Sequence, residues 1–381
     1  MTRLLIVTTI ECTLRGFLLP YARHFRSLGW QVDGLAKGAT QDEACRAAFD
    51  HCFEADWSRN PLRPQGLFRM PAAIRRVVEA GGYDLVHVHT PVAAFLTRFA
   101  LRGRFRPAGT RVVYTAHGFH FHDRQGALAN AAFAGLERLA GPWTDRLVVI
   151  NRTDEAEALR RGIVDADRLR YMPGIGLDLR QYDPGAVSPE AIAAFRASLG
   201  LGPQDILFCM VAGFQPGKRH RDLLQALADL PDPRIHLALA GQGPLQETCR
   251  AWCQARGLAG RVHFLGERKD IPVVVRASRA LVLPSEREGL SRCVMEAFAL
   301  GVPVIGADAR GVRDLLDACG GLKVPVGDPP ALRTALERLA ADPDGARALG
   351  EAARARATQF DVPNLVALHE ALYRDLGVPV P

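Results

Sequence analysis

The sequence predicts an α/β protein of two doubly wound parallel-sheet domains, and three observations carry that expectation. The chain has 381 residues, more than one ordinary core uses and enough for two domains of about 150 to 200 residues each. Short β-branched runs alternate with amphipathic stretches through both halves, the βαβ rhythm of a parallel sheet with helices on its faces. The rhythm stalls at "YMPGIGLDLRQYDPGAVSPE", residues 171–190, where prolines and glycines gather as in an interdomain connection. With 48% apolar and 23% charged residues the chain is globular.

In the first half, "RLLIVTT" (3–9), "QVDGLAK" (31–37), "LVHVH" (85–89), "RVVYTAH" (111–117) and "RLVVIN" (146–151) read as buried strands. "FLLPYARHFRSLG" and "GLFRMPAAIRRVVEAGG" read as crossover helices. These make a first domain over residues 1–180. The second, over 181–360, opens with "ILFCMVAGF" (206–214) and continues with "IHLALAG" (235–241), "RVHFLG" (261–266), "ALVLPS" (280–285), "PVIGA" (303–307) and "KVPV" (323–326). Residues 361–381 contain one amphipathic helix, "DVPNLVALHEALYRDLGV", expected to cross back to the first domain. Ligands of open parallel sheets bind at the carboxyl ends of the strands, so a cleft between those edges is the expected site.

The apolar run "LLIVTTI" is short and has Glu11 behind it, so it reads as a first strand rather than a signal or a span. The eight cysteines form no CxxC; Cys249 and Cys253 are at helical spacing with no histidine nearby, and buried thiols in a reducing compartment are expected. The net charge of +7 lies wholly in residues 1–180, with 25 Lys and Arg against 18 Asp and Glu. There "RFALRGRFRPAGTR" concentrates Arg98, Arg102, Arg104, Arg106 and Arg111. The pattern suits a solvated helix end and loop, or a surface that meets an anionic membrane or acidic acceptor. Nothing beside it resembles a nucleic-acid recognition motif.

Four clusters fall at strand ends. In "VHVHTP", His87 and His89 flank Val88; they are expected on opposite strand faces, unable to hold a metal jointly. In "YTAHGFHFH", His117 ends a strand before the turn at Gly118. In "VAGFQPGKRHRDLLQA", Lys218, Arg219 and His220 open a helix, where cations oppose the helix dipole unless an anion sits there; a diphosphate site is expected. "GQGP" (241–244) is a strand-to-helix turn without the full GxGxxG pattern and carries no nucleotide role of its own. The fourth is "SEREGLSRCVMEAFALGVPVIGA" (285–307). Glu288 precedes a helix starting near Ser291, and Glu296 lies one to two turns in. Amides at a helix mouth suit phosphate, and carboxylates suit neutral hydroxyls; together they suggest a nucleotide sugar.

The last block resembles the E-x7-E signature of the retaining glycosyltransferases of family 4, which have the GT-B fold of two Rossmann-like domains. "VAGFQPGKRH", "YTAHGFHFH" and "GIGLDLRQYDP" match that family's other blocks in order, over nearly the whole chain. "TAHGFHFH" looks most like the branch that builds bacterial surface polysaccharides and lipid-linked oligosaccharides. The resemblance implies that Glu288 holds donor-sugar hydroxyls, that the amides of Gly289, Leu290 and Ser291 meet the diphosphate, and that Glu296 accepts the ribose hydroxyls. Lys218 would neutralise the leaving phosphate, Arg219 would assist it, and His117 would sit beside the donor sugar. The family usually carries an arginine five residues before the lysine, where this chain has Gly213 after Ala212, and often a Gly-Gly pair after the first strand, where "TTIECTLRGF" offers only Gly16.

The implied activity is a metal-independent, cofactor-free retaining transfer of a hexosyl or N-acetylhexosaminyl group. The donor would be a nucleotide diphosphate sugar, UDP-linked, and the acceptor a hydroxyl of a lipid-linked or other anionic saccharide. The implied place is cytoplasmic, peripheral to the inner face of the cell membrane. Two alternatives share the fold: a nucleotide-sugar 2-epimerase, which uses a different carboxylate-rich tract, and a catalytically silent nucleotide-sugar binding protein, which the missing arginine keeps open.

Overall fold

Buried apolar runs become the strands of two wholly parallel sheets in the computed structural model, which describes residues 1–56, 64–122, 125–317 and 321–381. The first seven strands are β1 (Arg3–Ile10), β2 (Gln31–Lys37), β3 (Cys52–Glu54), β4 (Leu85–His89), β5 (Arg111–Ala116), β6 (Arg146–Val149) and β7 (Leu169–Tyr171). They form one sheet in the order β3-β2-β1-β4-β5-β6-β7. The other six are β8 (Ile206–Val211), β9 (Ile235–Ala240), β10 (Val262–Gly266), β11 (Ala280–Leu283), β12 (Val304–Ala307) and β13 (Gly321–Val324), in the order β10-β9-β8-β11-β12-β13. Contacts divide the chain into one unit of Met1–Gly176 with Val362–Pro381 and another of Leu177–Asp361.

Central strands are apolar on both faces because helices cover both. Leu4, Leu5, Ile6 and Val7 of β1 are all buried, as are Ala280 to Leu283 of β11. The strands end one to three residues before the apolar runs do at β5, β6, β8 and β11, where the chain turns out of the sheet. Strands β3 and β7 were not expected; each is a three-residue edge element, too short to show a period. The helix Val362–Asp375 packs into the first unit with Leu365, Val366, His369, Leu372 and Tyr373 buried at helical spacing. His24 bonds Glu370 at 2.7 Å, and Asp375 takes both Arg146 and Arg170.

Two expectations require correction. The arginine tract is not one solvated surface: Arg98 is 1% exposed, donates to Glu137 at 2.8 Å and to the Ala94 carbonyl, and lies 4.2 Å over the Tyr114 ring. Arg106 is tied to Asp145 at 2.6 Å and Arg102 stacks on Phe99, so only Arg104 and Arg111 face water freely enough to be exposed. A linear run of charges cannot tell the inward position of a helix from the outward one; helical phase does. The thiols are also not uniformly buried. Cys45, Cys209, Cys249 and Cys253 are, but Cys12 is exposed, Cys52 and Cys293 are half-buried, and Cys319 lies outside the described residues.

Breaking a buried ion pair strands one charge without a partner. Arg98→Ala is expected to lower unfolding free energy by about 3–5 kcal/mol, whereas Arg98→Met with Glu137→Met should recover most of it. Urea denaturation of the two proteins checks this; equal losses would mean that the ion pair itself stabilises the fold beyond what an apolar pair supplies.

Candidate functional site

In a parallel sheet whose strand order reverses, the crossovers on either side of the reversal leave toward opposite faces and open a crevice at the carboxyl ends. In the second unit that reversal lies between neighbours β8 and β11. The chain leaving β8 runs through Ala212 to Arg219 before the helix His220–Ala228, and the chain leaving β11 runs through Pro284 to Ser291 before the helix Arg292–Ala299. The two loops meet. The Glu286 amide donates to the Gly217 carbonyl at 3.0 Å, and Lys218 Nζ donates to Glu288 Oε1 at 2.6 Å, with the side chains 30% and 13% exposed.

Glu288 is held from behind by a third loop. Its amide donates to the Arg310 carbonyl at 3.1 Å, and Gly311, at φ +78°, approaches so closely that a Cβ there would sit 2.3 Å from the Gly289 carbonyl oxygen. Only glycine fits both conditions. The "GQGP" turn serves the other loop: a Cβ at Gly243, φ +159°, would strike the Phe214 backbone at 2.7 Å. These glycines set the backbone course of the two loops.

Glu296 lies on the inward side of its helix, almost fully buried. Its Oε1 accepts from the Tyr182 hydroxyl at 2.7 Å and from Arg292 Nε at 2.9 Å. Burial raises the Glu296 pKa, opposed by these two donors, and burial beside Glu296 pushes the Tyr182 hydroxyl up to about 12. Neither Tyr182 nor Arg292 was anticipated as part of the site. Arg292 was legible, four residues from Glu296 on one helix; Tyr182 sits 114 residues away, inside the "QYDP" block.

The cations at Lys218 and Arg219, placed where a diphosphate is expected, have their charge relieved before any ligand anion arrives. Carboxylates of the chain relieve it: Lys218 has Glu288, and Arg219 bonds Asp222 at 2.5 Å with Glu286 at 3.6 Å. Arg219 is the residue before the helix, in the left-handed region at φ 56°, with its guanidinium against Gly327. Ser291 precedes the second helix without capping it by its side chain; its Oγ lies 3.3 Å from Cys293 Sγ. Gly289 and Leu290 complete the turn between Glu288 and Ser291.

In the first unit the order reverses between β1 and β4. Thr90 ties the two strand ends together: its Oγ1 accepts from the Thr9 amide at 3.0 Å and lies within hydrogen-bond reach of the Thr9 hydroxyl at 2.7 Å. Thr90 holds φ 66°, a strained value for a β-branched residue, just before Pro91. Gly16 lies in the exposed helical turn that follows β1. His117, after β5, bonds through Nε2 to His89 Nδ1 at 2.9 Å. His87 and His89 are on one face, not opposite ones, with rings stacked at 4.3 Å; side chains alternate along a strand, so positions two apart coincide. His87 bonds Tyr373 and Thr115, both at 2.7 Å, and His369 bonds the Leu365 carbonyl. Among the described residues no three His, Cys, Asp or Glu side chains gather as metal ligands.

A family model described as Glycosyl transferases group 1 matches residues 192–356, and one described as a Glycosyl transferase 4-like domain matches residues 17–174. "Putative glycosyltransferase EpsD" of Bacillus subtilis is 31% identical over 94% of this chain and 92% of its own. The UDP-Gal:alpha-D-GlcNAc-diphosphoundecaprenol alpha-1,3-galactosyltransferase of Escherichia coli is 27% identical over 71% and 70%. Among solved structures, HepE of Anabaena in complex with UDP superimposes with a TM-score of 0.81 at 21% identity, covering 98% of this chain and 100% of that one. That likeness is one of fold.

Burial holds the pKa values of His87 and His89 well below the usual histidine value and those of His117 and His369 down at about 4. The unfolded chain therefore binds more protons than the folded one between about pH 4 and 6.5. Stability is expected to be full above pH 6.5 and to fall on acidification through that window, by up to about 1.4 kcal/mol per pH unit for each histidine. Denaturant titrations from pH 7.5 to 4.5 check it: His369→Phe should flatten the slope, and a slope equal to that of wild type would contradict the assignment.

Proposed function

Because the chain belongs to the family 4-like glycosyltransferases of the GT-B fold, we propose that it moves a sugar from a UDP-sugar, with retained anomeric configuration, to a hydroxyl of a lipid-linked saccharide. The observation that carries the donor half is the Lys218–Glu288 contact at the β8/β11 reversal, with a second carboxylate, Glu296, in the following helix. Supporting the acceptor half is the Escherichia coli relative, whose name gives a UDP-linked donor and a diphosphoundecaprenol-linked acceptor. The reaction takes place on the cytoplasmic side, peripheral to the membrane.

A lysine ammonium has three hydrogens, and the Glu288 bond uses one. The others are left for the diphosphate, where charge grows as the glycosidic bond breaks. Glu288 turns its second oxygen to hydroxyls of the transferred sugar. Both partners of Glu296 use Oε1, which leaves Oε2 to accept the ribose hydroxyls, while Tyr182 and Arg292 fix the carboxylate in place. The amides from Gly289 to Ser291 face the phosphates at the positive end of the helix Arg292–Ala299. Arg219 is occupied by Asp222 and Glu286 and acts as an auxiliary. Of the first unit's residues, Gly16 is assigned to acceptor and phosphate contacts, and His117, kept neutral, to a contact with the donor sugar. No enzyme nucleophile is assigned; the acceptor oxygen attacks on the face from which the diphosphate leaves, and its proton passes to a departing phosphate oxygen.

The two glutamates should fail differently. Glu296→Ala is expected to weaken UDP binding itself, and Glu288→Ala to leave it nearly intact while damaging transfer. Calorimetry with UDP on both variants decides, and identical losses would break the assignment.

Lys218→Ala is expected to fold normally and to lose about a hundredfold in turnover, or about 3 kcal/mol of transition-state stabilisation, with a smaller change in donor KM. Arg219→Ala should lose less. Donor hydrolysis and transfer by purified protein, with the product anomer read by NMR, provide the test. Turnover of Lys218→Ala within about threefold of wild type would move the phosphate site elsewhere. A wild type with neither hydrolysis nor transfer on UDP, GDP or ADP sugars would point to a silent binding protein, and conversion of UDP-N-acetylglucosamine to its manno epimer without an acceptor to an isomerase.

A further inference from the structure

The helix Ala127–Ala140 is turned inside out. Its inward side carries Glu137, the partner of buried Arg98, while Leu128, Phe133, Leu136 and Leu139 face outward at 86%, 37%, 44% and 55% exposure. Ala127, Ala129, Ala131, Ala132 and Gly135 are exposed between them, and among the described residues of this helix Arg138 is the one exposed charge. An outward helix face of this composition costs free energy in water and marks a surface that something covers. Beside it lies a groove of about 560 Å³, lined by Ala131, Arg138, Leu159, Arg160 and Arg161 among others. Leu159 is 45% exposed and extends the apolar surface across the groove. Arg160 and Arg161 both donate to Glu157 at 2.6–2.8 Å, two arginines to one carboxylate, and Arg138 is exposed beside them.

We propose that this face docks on an anionic lipid bilayer. The helix lies flat in the headgroup boundary, with Leu128, Leu136 and Leu139 among the acyl chains and Arg138, Arg160 and Arg161 on lipid phosphates. Apolar residues along one side and arginines at its edge are the pattern of an interfacial helix, and the exposed side of this one carries no carboxylate to repel the surface. A second copy of the chain is the poorer occupant, because a twofold contact sets the arginine-lined groove against itself. The surface is independent of the donor residues: it uses none of Lys218, Glu288 or Glu296. It also replaces the Arg98 to Arg111 tract as the membrane side, since Arg98 is buried.

Sedimentation with vesicles of phosphatidylcholine, alone or with phosphatidylglycerol, tests it. Wild type should pellet with the anionic vesicles at least about tenfold more strongly than with neutral ones, and less as salt rises. Leu128→Glu with Leu139→Glu, at two water-facing positions, should keep the fold by circular dichroism and the turnover on a water-soluble acceptor, and should lose vesicle binding. Hydrogen exchange on wild type gives a readout that needs no variant: residues 127–140 should gain protection when anionic vesicles are added. Pelleting unaffected by the double substitution, protection confined to other segments, or no vesicle binding would each overturn the proposal. A dimer in vesicle-free buffer that the same substitution dissolves would assign the face to self-association. Donor hydrolysis is read without vesicles, so failure of this surface and failure of the transferase reading are separate results.

Discussion

Right-handed crossovers are the constraint from which the rest of the molecule follows. A parallel strand can be reached only by a connection that passes over one face of the sheet, and its hand is fixed by the twist of the strands. When the strand order turns back on itself, as it does between β1 and β4 and again between β8 and β11, the two connections depart to opposite faces. Two strand ends are then left side by side with no helix above them. Thr90 and Thr9 meet at the first of these places, and Lys218 and Glu288 at the second. Side chains far apart in sequence become neighbours there because the sheet leaves no cover over them.

In the second unit this opening brings cations and carboxylates together in a way that changes how its charges act. Lys218 and Arg219 are not bare positive charges waiting for phosphate; each is held by an acidic side chain of the chain itself. Pairing keeps a half-buried lysine oriented at a modest net cost. The same economy governs Glu296, whose burial would otherwise favour the neutral acid; Tyr182 and Arg292 oppose that shift. In the first unit the outcome is the reverse. His87, His89, His117 and His369 are packed among apolar residues and one another, and burial keeps them neutral, so their hydrogen bonds are those of uncharged rings.

The helix Ala127–Ala140 shows how a buried ion pair can shape a surface. With Arg98 inside and Glu137 turned toward it, the phase of the helix is set by a charge rather than by its leucines. Its apolar residues then have nowhere to go but outward. A sequence-level moment finds such a helix amphipathic and assigns its apolar side to the core, which is the wrong side here.

The sequence by itself determined both sheets, because strands buried on two faces must be continuous apolar runs and eleven of them were read as such. It also marks Glu288, Glu296, Lys218 and His117 at strand ends and helix starts, by residue type and turn signals. The short edge strands β3 and β7 escaped because three residues show no period. What only the tertiary structure decided is who pairs with whom. Tyr182 reaches Glu296 across 114 residues, Lys218 reaches Glu288 across 70, and Arg98 finds Glu137 in another helix. Such pairings depend on strand order and helical phase, which no local pattern encodes; charge at a position is written in the sequence, but the neighbour that compensates it is fixed by folding.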